Sequence, residues 1–267
     1  MRVPLFAPGD DPGSSFFDLL QKIGVSPWPD LGSRGGVVEA PHGTTVLALR
    51  FADGVVMAGD RRATMGHRIA NRDMEKVVPA DRHSGVAIAG TAGTAMDMIK
   101  LFQLQLEHYE KLDGRAISLE GKANQLSQMV RSNLPAAMQG FTVVPIFAGY
   151  DLLRRTGRLW DFDITGGRYE EREFVTQGSG SDPASTVLKI SFRPGLSRDE
   201  AIDLACRALW EAAEVDTATG GPDGLRRIYP VVATIDADGW SRIDDTVLAT
   251  VFDSLLEADR ARREVRP

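Results

Sequence analysis

Thr44 stands in the run Gly43-Thr44-Thr45-Val46, with Asp60 and Lys76 downstream, and these three side chains together could carry out acyl transfer. A threonine hydroxyl is a weak nucleophile until a base takes its proton, and a residue's own free α-amino group is one such base. Thr44 would gain that amine if the bond before it were cut. Gly43 has no side chain, which leaves the Gly43–Thr44 bond open to close approach. An aspartate beside a buried Lys76 would hold the lysine charged, and a cation near Thr44 would lower the cost of an alkoxide. The four residues from Gly43 also suit an ordinary β-branched strand start, so the surrounding elements have to decide between the two.

Those elements begin as a β-meander. Residues 44–50 alternate, Asp53-Gly54 makes a favoured hairpin turn, and 55–58 returns, carrying Asp60 back towards the Thr44 end. Further strands are predicted near 67–70, from Lys76 to Val78, and over 86–89. The period then changes. Ile99, Phe102, Leu106 and Tyr109 form one face of a helix over about 95–111, stopped by Asp113-Gly114. A second helix, over about 119–138, buries Leu126, Met129, Val130 and Leu134. Strands follow at 143–150, 159–164 and 169–177, then a short helix near 183–190. Ser197 and Glu200 make a capping box for a longer helix whose face is Ile202, Ala205, Cys206, Leu209, Trp210 and Ala213. Strands at 229–235 and 240–243 and a charged helix from about Asp245 complete the chain. Strands and helices in separate blocks predict an α+β fold of two stacked antiparallel sheets with helices on the outer faces.

Residues 1–40 differ from the rest. They are rich in Pro, Gly, Ser and Asp, with an apolar patch at Phe16-Phe17-Asp18-Leu19-Leu20, and bury little by themselves. They read either as a tail or as a leader, 1–43, removed at Gly43–Thr44, with the Phe-Phe patch meeting a partner during assembly. The remainder, 44–267, reads as a single domain, and a composition 43% hydrophobic supplies its core. A net charge of −6 with mixed signs argues against nucleic acid as the main partner. No apolar run is long enough to span a bilayer, no secretory signal is present, and the single Cys206 cannot form an intrachain disulfide. A soluble, cytoplasmic protein is expected. His42, His67, His83 and His108 lack ligand spacing, so neither a metal nor another cofactor is expected.

Six motifs carry a family resemblance: Gly43-Thr44-Thr45-Val46, Gly59-Asp60-Arg61-Arg62-Ala63-Thr64, Met74-Glu75-Lys76-Val77, Gly90-Thr91-Ala92-Gly93, Gly178-Ser179-Gly180-Ser181 and Asp216-Thr217-Ala218-Thr219-Gly220-Gly221. In order and spacing they resemble a bacterial, actinobacterial-type proteasome β subunit. The resemblance implies the four-layer αββα sandwich of N-terminal nucleophile hydrolases. It implies a threonine endopeptidase with Thr44 as nucleophile, Asp60 and Lys76 as the charge pair beside it, and the Gly90 N–H as oxyanion donor. Ser179 and Asp216 would support the α-amino group, with Ser181 as an alternative to Ser179. Thr219 stands where many members have serine and keeps the hydroxyl.

By the same resemblance Ala63, Thr64, Met74, Val78, Ile88, Ala92 and Met96 line the pocket for the residue before the scissile bond. They carry no fixed charge, which implies an apolar, chymotrypsin-like preference. The implied partners are other β subunits in stacked rings of seven, α-subunit rings, a ring ATPase acting through them, and protein substrates. Two other readings compete: a ring-building subunit without activity, and a simpler N-terminal-threonine peptidase or amidohydrolase that works without α subunits. Intact Gly43, Thr44, Asp60 and Lys76 argue against the first, and the Asp216 motif and the leader argue against the second.

Overall fold

The central strands of both sheets bury both of their faces, and a sheet apolar on both sides must be covered on both sides. The computed structural model describes residues 43–264; the predicted leader, apart from Gly43, lies outside them. One antiparallel sheet contains β1 (Thr45–Phe51), β2 (Gly54–Gly59), β10 (Phe174–Gly178), β11 (Val231–Asp236) and β12 (Gly239–Arg242), in the order β10-β1-β2-β11-β12. The other contains β5 (Val77–Asp81), β6 (Ser84–Gly90), β7 (Val143–Asp151), β8 (Thr156–Phe162) and β9 (Arg168–Glu171), in chain order. A small ribbon of β3 (Ala63–Met65) and β4 (Arg68–Asn71) stands apart from both.

Strand alternation sorts the side chains into three apolar layers. Val46 and Ala48 of β1, Met57 of β2, Ala87 and Ala89 of β6, and Ile146 and Ala148 of β7 fill the space between the sheets. Their neighbours point outwards. Leu47, Leu49 and Val56 meet a helical layer made of α4 (Ser181–Ser191), α5 (Arg198–Val215) and α6 (Asp245–Glu264). Val86, Ile88, Phe147 and Trp160 meet α1 (Ala92–Asp113) and α2 (Leu119–Ser132). The four alanines of the middle layer leave room for Met57, Ile146 and Leu159 between closely stacked sheets. The result is the expected αββα sandwich. Helix α5 starts at the predicted capping box, with both reciprocal Ser197–Glu200 bonds present.

Three local expectations change. The helix read over 119–138 ends at Ser132 and is followed by the four-residue α3 (Leu134–Ala137), where Pro135 cannot continue the helical ladder. The strand read over 169–177 is two strands, with β9 in one sheet and β10 in the other, so the chain crosses between sheets at Arg172 and Glu173. The ribbon strand β3 was not foreseen. Among the described residues no helix is long and apolar enough to cross a membrane.

Candidate active site

The β1–β2 hairpin sets the first half of the site. Its register pairs Val46 with Gly59, so Asp60 falls opposite Thr45. The Thr45 N–H donates to Asp60 Oδ1 at 2.8 Å, and the Asp60 N–H donates back to the Thr45 carbonyl at 3.0 Å. Lys76, just before β5, reaches across from the other sheet. Its Nζ donates to Asp60 Oδ1 at 2.7 Å, to the Gly43 carbonyl at 2.9 Å and to the Arg62 carbonyl at 2.5 Å. Asp60 Oδ2 accepts the Arg62 and Gly220 N–H groups, each at 2.9 Å.

Lys76 and Asp60 are only 1% and 0% exposed, and a buried ion pair offsets its desolvation cost only when its remaining donors and acceptors are also bonded. Here every lysine N–H and both carboxylate oxygens have partners. Burial pulls the lysine below its ordinary pKa, and the Asp60 charge opposes that shift.

Two donors converge on one carbonyl. Thr44 Oγ1 donates to the Gly43 oxygen at 2.6 Å, the same oxygen that accepts Lys76 Nζ. Position 43 has no room for a side chain, because a Cβ there would lie 2.5 Å from Thr64 Oγ1 and 2.6 Å from Ala218 Cβ.

The second half of the site comes from β10 and the end of α5. Pairing of Thr45 with Gly178 brings Ser179 beside Thr44. Gly178 has φ +104°, and a Cβ on it would lie 1.9 Å from the Thr44 carbonyl oxygen, so glycine is required at this crossing. The Thr44 N–H points to Ser179 Oγ at 3.4 Å. Asp216, which caps α5, accepts on one oxygen the hydroxyls of Ser179 at 2.5 Å and Thr219 at 2.6 Å. Ser181 instead opens α4, where its carbonyl accepts the Thr176 hydroxyl, so Ser179 is the serine next to Thr44.

Gly90 ends β6 with φ +118°, where a Cβ would lie 2.1 Å from the Thr142 carbonyl oxygen. A cleft of about 530 Å³ opens at this point, lined by Gly43, Thr44, Gly90, Thr142, Gln177 and Ser179 among others. The residues read as a specificity pocket lie beyond that lining. Val78, Ile88 and Met96 belong to the layer between the β6 sheet and α1. Ala92 opens α1 and is half-buried, as is Met74 before β5. Ala63 and Thr64 are buried at the start of β3, with Thr64 close to Gly43.

Sequence reasoning missed three contributors: Thr45, whose hydroxyl lies 2.5 Å from that of Thr219, and the backbones of Arg62 and Gly220. Their signal was present in the motifs, but backbone donors leave no mark of residue type. Cys206 is buried in the α5 layer with its thiol pushed up to about 12 by desolvation, far from a reactive thiolate. Among the described residues no group of three or more His, Cys, Asp or Glu could hold a metal ion.

A sequence model of the proteasome subunit family matches residues 40–224, the span that contains every polar group of the site. The chain belongs to the proteasome family. It is similar to the proteasome subunit beta of Acidimicrobium ferrooxidans, with 55% identity over 264 residues covering 99% of this chain and 96% of that one. The corresponding protein of Streptomyces griseus is 52% identical over 252 residues, 92% of this chain and 89% of the relative. That of Acidothermus cellulolyticus is 54% identical over 227 residues, 84% and 78%. These matches put the chain among the bacterial proteasome β subunits, components of the proteasome core protease, and its two stacked sheets fit the N-terminal nucleophile hydrolase fold.

Proposed function

We propose that this proteasome subunit is a self-processing threonine endopeptidase that frees its own nucleophile by cleaving Gly43–Thr44. The observation that carries this reading is the convergence of Thr44 Oγ1 and Lys76 Nζ on the Gly43 carbonyl, with Asp60 behind the lysine. In the uncut chain no α-amine exists at Thr44, so a side chain must take the hydroxyl proton. Lys76 lies against this carbonyl as an ammonium; burial eases the loss of one of its protons to solvent, and the neutral amine then takes the hydroxyl proton. Thr44 Oγ adds to the Gly43 carbonyl carbon. The bond to the Thr44 nitrogen then breaks as that nitrogen takes a proton, leaving Gly43 as an ester on Oγ. Water hydrolyses the ester to a Gly43 carboxylate and a free Thr44 amine.

Turnover of other chains repeats the addition with the new base. The Thr44 amine, of ordinary pKa about 7.7–8.0, takes the hydroxyl proton directly or through a water. The tetrahedral oxyanion forms against the Gly90 N–H, a contact typically worth about 2.7–4 kcal/mol in the transition state. The leaving amine takes a proton, and water then releases the acyl group from Thr44. Ser179, Asp216 and Thr219 hold the amine. The family resemblance, and not the lining of the cleft, is what supports Ala63, Met74, Val78, Ile88, Ala92 and Met96, with Thr64, as the residues that receive an apolar or aromatic side chain before the scissile bond. The active form is a β ring of seven, stacked on a second ring and closed by α rings that a ring ATPase feeds, in the cytoplasm.

The test is peptide hydrolysis by the assembled particle. Thr44→Ala should still assemble, yet lose both processing and cleavage of fluorogenic peptides by at least about a thousandfold. Wild type should prefer peptides with an aromatic residue before the cleaved bond over those with a charged one. Persistent hydrolysis by the Thr44→Ala particle would overturn the assignment.

A further inference from the structure

We propose that Thr45 is a positioning residue for this site: its hydroxyl donates to Thr219 and so strengthens the hydrogen bonds by which Thr219, Asp216 and Ser179 reach Thr44. The inference rests on the peptidase reading and concerns a residue to which that chemistry gives no role.

Thr45 is fully buried, where an unbonded hydroxyl is costly and a valine would suit the strand as well. Its Oγ1 lies 2.5 Å from Thr219 Oγ1, and geometry alone leaves either as the donor. The neighbours decide. Thr219 has one hydroxyl proton, and it goes to Asp216 Oδ2 at 2.6 Å, so Thr45 donates and Thr219 accepts. Ser179 gives its proton to the same carboxylate oxygen at 2.5 Å, which turns a lone pair towards the Thr44 nitrogen. The sequence of donors therefore runs from Thr45 to Thr219 to Asp216 on one side, and from the Thr44 N–H to Ser179 to Asp216 on the other. In a low-dielectric interior each such bond polarises the next.

Two further observations tie Thr45 to this task. The backbone makes room for the hydroxyl pair at Gly180, where a Cβ would lie 2.2 Å from Thr45 Oγ1 and 2.8 Å from Thr219 Oγ1. Thr45 is also bonded through its N–H and carbonyl to Asp60, so a single residue joins the two polar clusters that flank the nucleophile. Valine at this position would keep the shape and the backbone bonds, but would leave Thr219 without its donor and Asp216 more weakly held.

The experiment compares wild type, Thr45→Val, Thr45→Ser, Thr219→Val and the pair Thr45→Val/Thr219→Val, each as the full chain co-expressed with its α partner. Intact mass reports processing, and a fluorogenic peptide with an aromatic residue before the cleaved bond gives kcat and KM. Thr45→Val should be processed and should lose about tenfold in kcat with KM within about twofold. Thr45→Ser should recover at least about half of the wild-type kcat, and the double variant should be no slower than Thr219→Val alone. If valine hinders assembly, Thr45→Ala replaces it with the same expectations. A kcat for the hydroxyl-free variant within twofold of wild type, or equal losses for serine and valine, would overturn the role of Thr45 and leave the peptidase reading intact. An inactive, fully assembled wild type would overturn both.

Discussion

The two polar clusters on either side of Thr44 are built in opposite ways. On one side Lys76 and Asp60 are sealed from solvent, and each of their donors and acceptors already has a partner while Gly43 is still attached. On the other side Ser179 is exposed and Asp216 half-buried, and the contacts with Thr44 are two long ones, 3.4 Å from its peptide N–H to Ser179 Oγ and 3.3 Å between Ser179 Oγ and the Thr44 carbonyl oxygen. The closed cluster is complete before cleavage. The open one faces a nitrogen that becomes a free amine only afterwards. On the proposed function, this difference would give the closed cluster a part in processing and turnover alike, and the open one a part in turnover.

Breaking the closed side should have the largest effect. Lys76→Ala leaves the Asp60 carboxylate buried without its cation, which typically costs about 3–5 kcal/mol, and removes the donor to Gly43. Processing and peptide hydrolysis should both disappear, and the thermal unfolding midpoint should fall; normal cleavage at Thr44 in this variant would erase the distinction between the clusters. Breaking the open side should cost less. Ser179→Ala removes one bonded partner, a loss of about 1–3 kcal/mol, or roughly five- to a hundred-and-fiftyfold in kcat, while the mass of the chain should still correspond to a Thr44 start. An unprocessed Ser179→Ala chain would show that both clusters act at the same step.

The smallest effect sharpens the comparison through pH. Burial lowers Lys76 from its ordinary 10.5, and the Arg62 charge lowers it further. Because the folded chain holds this proton less readily than the unfolded one, the Lys76 contribution to stability grows as pH rises from the lowered value towards 10.5, and is lost as pH falls through the lowered value. Arg62→Gln removes the second of these influences and returns Lys76 upwards. The rising limb of the processing rate should then move to higher pH, while the Ser179-dependent step should respond less. A processing profile that does not move, measured by mass at timed points across the pH range, would remove Lys76 from the proton transfer.

Much of the closed cluster was legible in the sequence. The Asp53-Gly54 turn fixes the hairpin register, and the register alone returns Asp60 to Thr45. The open cluster was less so. It depends on the chain leaving one sheet after β9 and entering the other at β10, and 169–177 alternates as smoothly as a single strand. Only pairing with β1, at the far end of the sequence, selects the crossing. The pocket shows another limit. Ile88, Val78 and Met96 are as apolar as the core cluster they join, so residue type cannot separate a substrate wall from interior packing, and the family resemblance had to supply them. Thr45 was in the first motif, yet its role depends on Gly180 and Thr219, 135 and 174 residues away, which no local pattern connects.

The most direct measurement is the intact mass of this chain, purified in the assembled particle after co-expression with an α subunit. The account predicts a species that begins at Thr44, produced by wild type and absent from Lys76→Ala. A particle that hydrolyses peptides while its β chain still carries Gly43 would contradict it, because the amine that serves as base would then not exist.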